Sequence, residues 1–181
     1  MTTELTIGAI NPGYGGLPIG VAAALCGATL QWHAHPYRVH EHAGGALMRY
    51  HHPRAADYAS FDAPPPMVDV LTINGFTDWC VTAEVLIGAG YKPPMIAVEV
   101  RYPRDEARPI CERLTKAGYR ANWGLVRACD VGAPHVRPRV YVTAVRKDCD
   151  VPAVNAAYLD ADRAFNPLWP TPAVNDTTLV V

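Results

Sequence analysis

Three groups of residues have the types and spacing to do chemistry. The first is a run of glycines in Thr6-Ile7-Gly8-Ala9-Ile10-Asn11-Pro12-Gly13-Tyr14-Gly15-Gly16-Leu17, where a strand-like run passes into a helix-compatible stretch. Glycine permits the positive φ angles and close ligand approach that such a turn needs, and the helix amino end beyond it offers free N–H groups. Glycine turns of this kind also occur without a ligand. The second group is a histidine cluster: His33, His35, His40, His42, His51 and His52 fall within 20 residues. Imidazole clusters bind zinc or nickel, but histidines two apart on a helix point away from each other, and no metal ligands are assigned. The third group is basic. Residues 101–147 hold 11 Lys/Arg against 4 Asp/Glu, whereas 1–100 hold 4 against 8 and 148–181 hold 1 against 5. A basic face here could meet the phosphates of DNA or a nucleotide. The alternative is a solvated surface whose arginine stems cover apolar neighbours.

The elements that would position these groups follow from the apolar pattern. At 181 residues, half of them apolar and with a formal net charge of -1, the chain fits one domain with a substantial core. Strand-like runs occur at Leu5–Ile10, Val68–Ile73, Met95–Val100 and Val140–Val145. Helix-compatible stretches occupy Leu17–Cys26, Tyr37–Tyr50, Thr82–Gly88 and Asp105–Ala117. This alternation predicts an α/β fold with a doubly wound, mostly parallel sheet, and it sets the glycine turn at the carboxyl edge where such sheets bind ligands. Residues 1–150 read as the α/β domain and 151–181 as an irregular, proline-rich C-terminal extension. The five cysteines, Cys26, Cys80, Cys111, Cys129 and Cys149, are odd in number and widely spaced, as expected in a reducing, cytoplasmic compartment. The uncharged stretch between Glu4 and Arg38 is broken by Asn11-Pro12-Gly13 and by Gly15-Gly16, which argues against a membrane span.

Several segments together resemble the cytosine-C5 DNA methyltransferases. The turn from Ile7 to Leu17 is similar to the family's opening motif, which cradles S-adenosylmethionine. Val68-Asp69-Val70-Leu71-Thr72-Ile73-Asn74-Gly75-Phe76 resembles the strand leading to its nucleophile loop, and Ile96-Ala97-Val98-Glu99-Val100 the strand of its Glu-Asn-Val motif. The longest similarity runs from Leu114 to Tyr141 and includes Ala128-Cys129-Asp130-Val131-Gly132-Ala133-Pro134-His135-Val136-Arg137-Pro138-Arg139. The four segments keep the family's order and span roughly residues 5–147, in a style similar to enzymes carried by phages of actinobacteria. The resemblance implies the Rossmann-like fold of S-adenosylmethionine-dependent methyltransferases, here without the family's target-recognition domain. It also implies the cytoplasm of a bacterial host as the setting if a phage encodes the chain.

Where the pattern departs from the family, the chemistry changes. The resemblance puts Asp78, in Gly75-Phe76-Thr77-Asp78-Trp79, at the place of the cysteine whose thiolate attacks cytosine C6. A carboxylate is a far weaker nucleophile toward that carbon and leaves too readily. Cys80, two residues on, is the alternative nucleophile. Glu99 stands at the place of the base-contacting glutamate, and Arg137 and Arg139 at two supporting arginines; the structural alternative pairs Glu99 with Arg101 or Arg137. Asp78, Glu99, Arg137 and Arg139 are therefore the candidate catalytic set. The implied cofactor residues are Asn11, Gly13, Tyr14, Gly15, Gly16, His35 and Asp57. Asn11 replaces an aromatic residue against adenine, and His35 replaces the glutamate that takes the ribose hydroxyls, so S-adenosylmethionine is expected to bind weakly or not at all. Asp57 matches the aspartate that accepts from the adenine amino group. The expected function is that of a pseudoenzyme binding a nucleotide-like ligand, DNA or a protein partner, itself included. The alternatives are a repurposed enzyme using Asp78 and Glu99 as acid and base on a nucleobase or nucleotide, and a methyltransferase subunit completed by another chain.

Overall fold

The structure, a computed structural model, describes residues 4–13, 15–25, 27–35, 43–58, 63–75, 86–101, 107–132, 134–156 and 158–159. In chain order it comprises β1 (Thr6–Ile10), α1 (Gly16–Ala24), β2 (Thr29–Ala34), α2 (Ala43–His51), β3 (Ala56–Tyr58), β4 (Val70–Gly75), β5 (Met95–Arg101), α3 (Ala107–Lys116), β6 (Tyr119–Arg127) and β7 (Pro138–Arg146). The seven strands form one sheet in the order β3-β2-β1-β4-β5-β7-β6. Every pairing from β3 to β5 is parallel, while β7 runs antiparallel to both β5 and β6. The strand order reverses between β1 and β4, which opens a crevice at their carboxyl ends.

Period-two alternation divides the sheet into two apolar faces. On one, Leu71, Ile73, Ile96, Val98, Val140 and Val142 pack with Ala107, Ile110 and Leu114 of α3. On the other, Ile7, Ala9, Val70, Met95 and Val145 meet Met48 of α2. Asp69 clamps β1 to β4 where the two begin: its Oδ2 accepts from the backbone N–H and hydroxyl of Thr6, both at 2.8 Å. The proline-rich approach to β4 is also anchored. The Pro66 carbonyl accepts from Trp32 Nε1 at 3.0 Å and from the Tyr91 hydroxyl at 2.8 Å.

The four expected strands are present, and the fold is the anticipated mostly parallel α/β sheet. It has three further strands: β2, the three-residue β3 and β6. The stretch from Val151, expected to be irregular, opens with helical residues 152–156, and its Val154 and Tyr158 are buried in the second core. Among the described residues, no helix is long and apolar enough to cross a membrane.

Candidate functional site

The glycine turn and the carboxyl ends of β2, β4 and β5 lie side by side along one edge of the sheet. Asn11 leaves β1 at φ 49°, a left-handed conformation that asparagine tolerates better than most residues. Its backbone N–H donates to the Ala34 carbonyl at 2.7 Å, and its side-chain Nδ2 donates to the Asn74 carbonyl at 3.0 Å. One residue thus ties the ends of β1, β2 and β4 together. Gly13 at φ 57° and Gly15 at φ 86° complete the turn, and Gly15 caps α1. A Cβ on Gly15 would lie 2.7 Å from Met48 Sδ, so this position requires glycine on two counts. Tyr14 lies outside the described residues.

On one side of the turn, β2 and β3 present a polar cluster that is buried at His33 and His35 and exposed at Asp57. His33 and Asp57 are register partners on neighbouring parallel strands, which sets His33 Nδ1 3.3 Å from Asp57 Oδ1. Asp57 Oδ2 also accepts from Arg49 Nη1 at 3.0 Å. His33 is fully buried, and neither of its ring nitrogens makes a hydrogen bond of good geometry. Burial lowers its pKa, the Asp57 carboxylate opposes that shift, and the charges of Arg49 and His52 add to it. His35, also buried, stacks edge-on against His33 with ring centroids 5.4 Å apart, and its backbone N–H donates to the Tyr58 carbonyl. Among the described residues, no group of three His, Cys, Asp or Glu side chains is placed to hold a metal ion. His40 and His42 lie outside them.

On the other side stands Glu99. Its neighbour across β4 is Asn74, and its partner across β7 is Tyr141. Arg139, two residues from Tyr141 and therefore on the same face, donates Nε–H to Glu99 Oε1 at 3.1 Å. Among the described residues the partner of Glu99 is thus Arg139 and not the alternative Arg137, while the Arg101 side chain lies outside the description. Register explains the difference, because antiparallel β7 sets Arg139 diagonally across from Glu99, whereas Arg137 precedes the strand and is exposed. Tyr141 has its pKa raised, first by burial and then by the Glu99 carboxylate. Asp78 and Cys80 lie outside the described residues.

The sequence reading did not assign roles to Asn74, His33 or Tyr141. Asn74 and Tyr141 become visible only through pairing register. His33 was seen as a cluster member, without its aspartate partner.

Residues 101–176, which contain Arg137, Arg139 and Tyr141, match the family described as C-5 cytosine-specific DNA methylase. That stretch of the chain is similar to the C-5 cytosine-specific DNA methylases. Solved structures share the fold of this chain. A Dnmt2 variant from Spodoptera frugiperda aligns with a TM-score of 0.64 at 13% identity, covering 82% of this chain and 52% of that one. The Dnmt2 methyltransferase of S. pombe aligns at 0.61 and 14% identity, covering 80% and 50%. The precorrin-6y C5,15-methyltransferase of Geobacter metallireducens aligns at 0.58 and 15%, covering 80% of each. The chain thus spans about half the length of the Dnmt2 chains. No curated protein matches it in sequence.

S-adenosylmethionine, the cofactor that the resemblance to cytosine-C5 methyltransferases implies, would meet the following residues here. The glycine turn suits its amino-acid end: Gly13 and Gly15 have the required φ, and a Cβ on Gly16 would meet nothing within 4 Å. Where the resemblance would set the ribose and adenine, His35 offers at most one acceptor, and Asp57 is held by Arg49 and His33.

The Glu99–Arg139 pair yields a direct prediction. Both side chains are more than four-fifths buried, so Arg139→Ala strands a carboxylate without its cation. The expected loss is about 2 kcal/mol of folding stability by urea unfolding. In a Glu99→Gln background the same substitution should cost much less. Equal costs in the two backgrounds would show the pair to be uncoupled.

Proposed function

We propose that this chain is a methylase-fold module that binds a nucleotide-like ligand at the glycine turn without methylating cytosine. Asp78, at the place of the attacking cysteine, carries this reading. Methyl transfer to C5 needs a nucleophile that adds to C6 and later departs. A thiolate does both, whereas a carboxylate adds poorly. In the family the cofactor supplies an electrophilic methyl group on its sulfonium. Here Gly13, Gly15 and Gly16 would hold such a ligand's polar end against the amino end of α1, with His35 beside the sugar.

Glu99 and Arg139 form a hydrogen-bonding platform that could receive the edge of a base, and the basic stretch 101–147 provides a surface for phosphate. Both are compatible with binding in the absence of turnover. Calorimetric titration with S-adenosylmethionine and S-adenosylhomocysteine, paired with a methyl-transfer assay on cytosine-containing DNA, tests the proposal. The expected result is weak binding of both nucleosides and no methyl incorporation. Turnover at ordinary enzyme rates would overturn the reading, and so would a complete lack of binding by any adenosine-containing ligand.

A further inference from the structure

The face of the sheet that packs on α3 contains an unfilled space. A cavity of about 370 Å³ lies between α3, strands β4 and β5, and the helical stretch 86–88. Six aliphatic side chains, Ile73, Ile87, Ile96, Val98, Ile110 and Leu114, form most of its wall. Protein interiors are packed as densely as organic crystals, with few voids larger than a water molecule, so a space of this size in an apolar layer calls for an occupant. Water suits it poorly, because a buried water needs about two to four polar partners and this aliphatic wall offers none. A cavity of roughly 150 Å³ takes up benzene, so by proportion this one has room for a chain of about twelve carbons.

Charge at the rim narrows the choice. Arg113 and Lys116 also line the cavity, stand three residues apart on α3, and are exposed. Their aliphatic stems can extend the wall while the charged ends stay in water. Among the described residues no carboxylate lines the cavity. Glu112, next to Arg113 in the chain, is already paired with Arg108 at 3.1 Å. The space is therefore apolar within and positive at its edge, which matches a straight hydrocarbon chain ending in an anion. It is also separate from the glycine turn, since Val21, Ala22 and Leu25 of α1 and Met48 of α2 pack into the core on the opposite face of the sheet.

We propose that this cavity binds a single-chain amphiphilic anion, of which a medium-chain fatty acid is the simplest member, with its chain among the isoleucines and its carboxylate beside Lys116 and Arg113. This inference does not depend on which ligand the glycine turn takes. Titration of the full chain with dodecanoate, kept below its micelle concentration, should give saturable methyl chemical-shift changes at Ile73, Val98, Ile110 and Leu114. The methyl groups of Ile7 and Val145, in the core on the other face, should stay unmoved. Octanoate, four methylenes shorter, should bind more weakly by at least about tenfold. Dodecyltrimethylammonium should also bind about tenfold more weakly, because its charge meets the same cations. Lys116→Glu, at an exposed position, should weaken dodecanoate about tenfold and bring the two amphiphiles to similar affinity. Ile110→Phe, which extends a wall residue into the space, should abolish binding with the amide spectrum of the sheet retained. Absence of saturable shifts with dodecanoate would overturn the proposal, as would shifts centred on the glycine turn. Equal binding of dodecanoate and dodecyltrimethylammonium to the unsubstituted chain would overturn it as well, leaving an apolar void that takes any hydrophobe. So would a Lys116→Glu variant that binds dodecanoate as tightly as its parent.

Discussion

Gly8→Ala is expected to destabilise the protein by about 3 kcal/mol, at the upper end of the range for overpacking a core. A Cβ at Gly8 would lie 2.3 Å from Trp32 Cζ2 and 2.4 Å from Cε2, distances that only displacement could relieve. The indole is poorly placed to yield. It is fully buried, its Nε1 donates to the Pro66 carbonyl, and Tyr58 and Tyr91 meet it edge-on with centroids 6.1 and 6.4 Å away. The pairing of β1 with β2 already shifts register between Ile7 and Gly8, where the indole crosses the glycine. Urea unfolding would measure the loss. Combining Gly8→Ala with Trp32→Leu should cost less than the sum of the two single changes, because the smaller side chain vacates the space that the methyl group needs. A single Gly8→Ala variant within about 0.5 kcal/mol of the parent would contradict this packing.

The same part of the molecule shows why some of the fold was legible in the sequence and some was not. Strands β1, β4, β5 and β7 occupy the middle of the sheet, where burial on both faces selects unbroken apolar runs such as Met95–Val100. Strand β6 lies at an edge, with Arg120 exposed and Asn122 only half-buried, so its pattern lacks that signal. Strand β3, at the other edge, is three residues long. Strand β2 was obscured by its own site residues, since His33 and the following His35 read as polar although both are buried.

The site divides in the same way. The glycine turn was legible because φ demands act locally, and Gly13 and Gly15 do adopt positive values. The partner of Glu99 was not, because it depends on the direction of β7. A purely parallel reading of the sheet gives no reason to bring Arg139 across from the end of β5, whereas the antiparallel register does. Resemblance to a family identifies which residues correspond, but the electrostatic state of each one depends on which strand lies beside it.

Acidification should weaken the fold through His33 in a pH window that can be stated in advance. Burial is the leading cause of its lowered pKa; the Asp57 carboxylate opposes the shift, while Arg49 and His52 reinforce it. His35 stacks against the same ring. The folded-state pKa therefore lies below the unfolded value of about 6.5. Between the two, the unfolded chain binds a proton that the folded chain refuses, so stability is fully present above pH 6.5 and is lost as pH falls through the folded pKa. Within that window one proton contributes a slope of up to about 1.4 kcal/mol per pH unit. His52, its pKa also lowered, mainly by burial, acts in the same direction. Asp130 acts lower, because its pairing with Arg127 brings its pKa below 3.8 and separates its transition from that of the histidines. Urea midpoints measured from pH 7.5 to 5 should fall, and His33→Phe, which keeps a buried ring and removes the titrating group, should flatten most of that fall. An unchanged slope in His33→Phe would move the acid sensitivity away from the β2–β3 edge and leave His33 as a neutral packing residue.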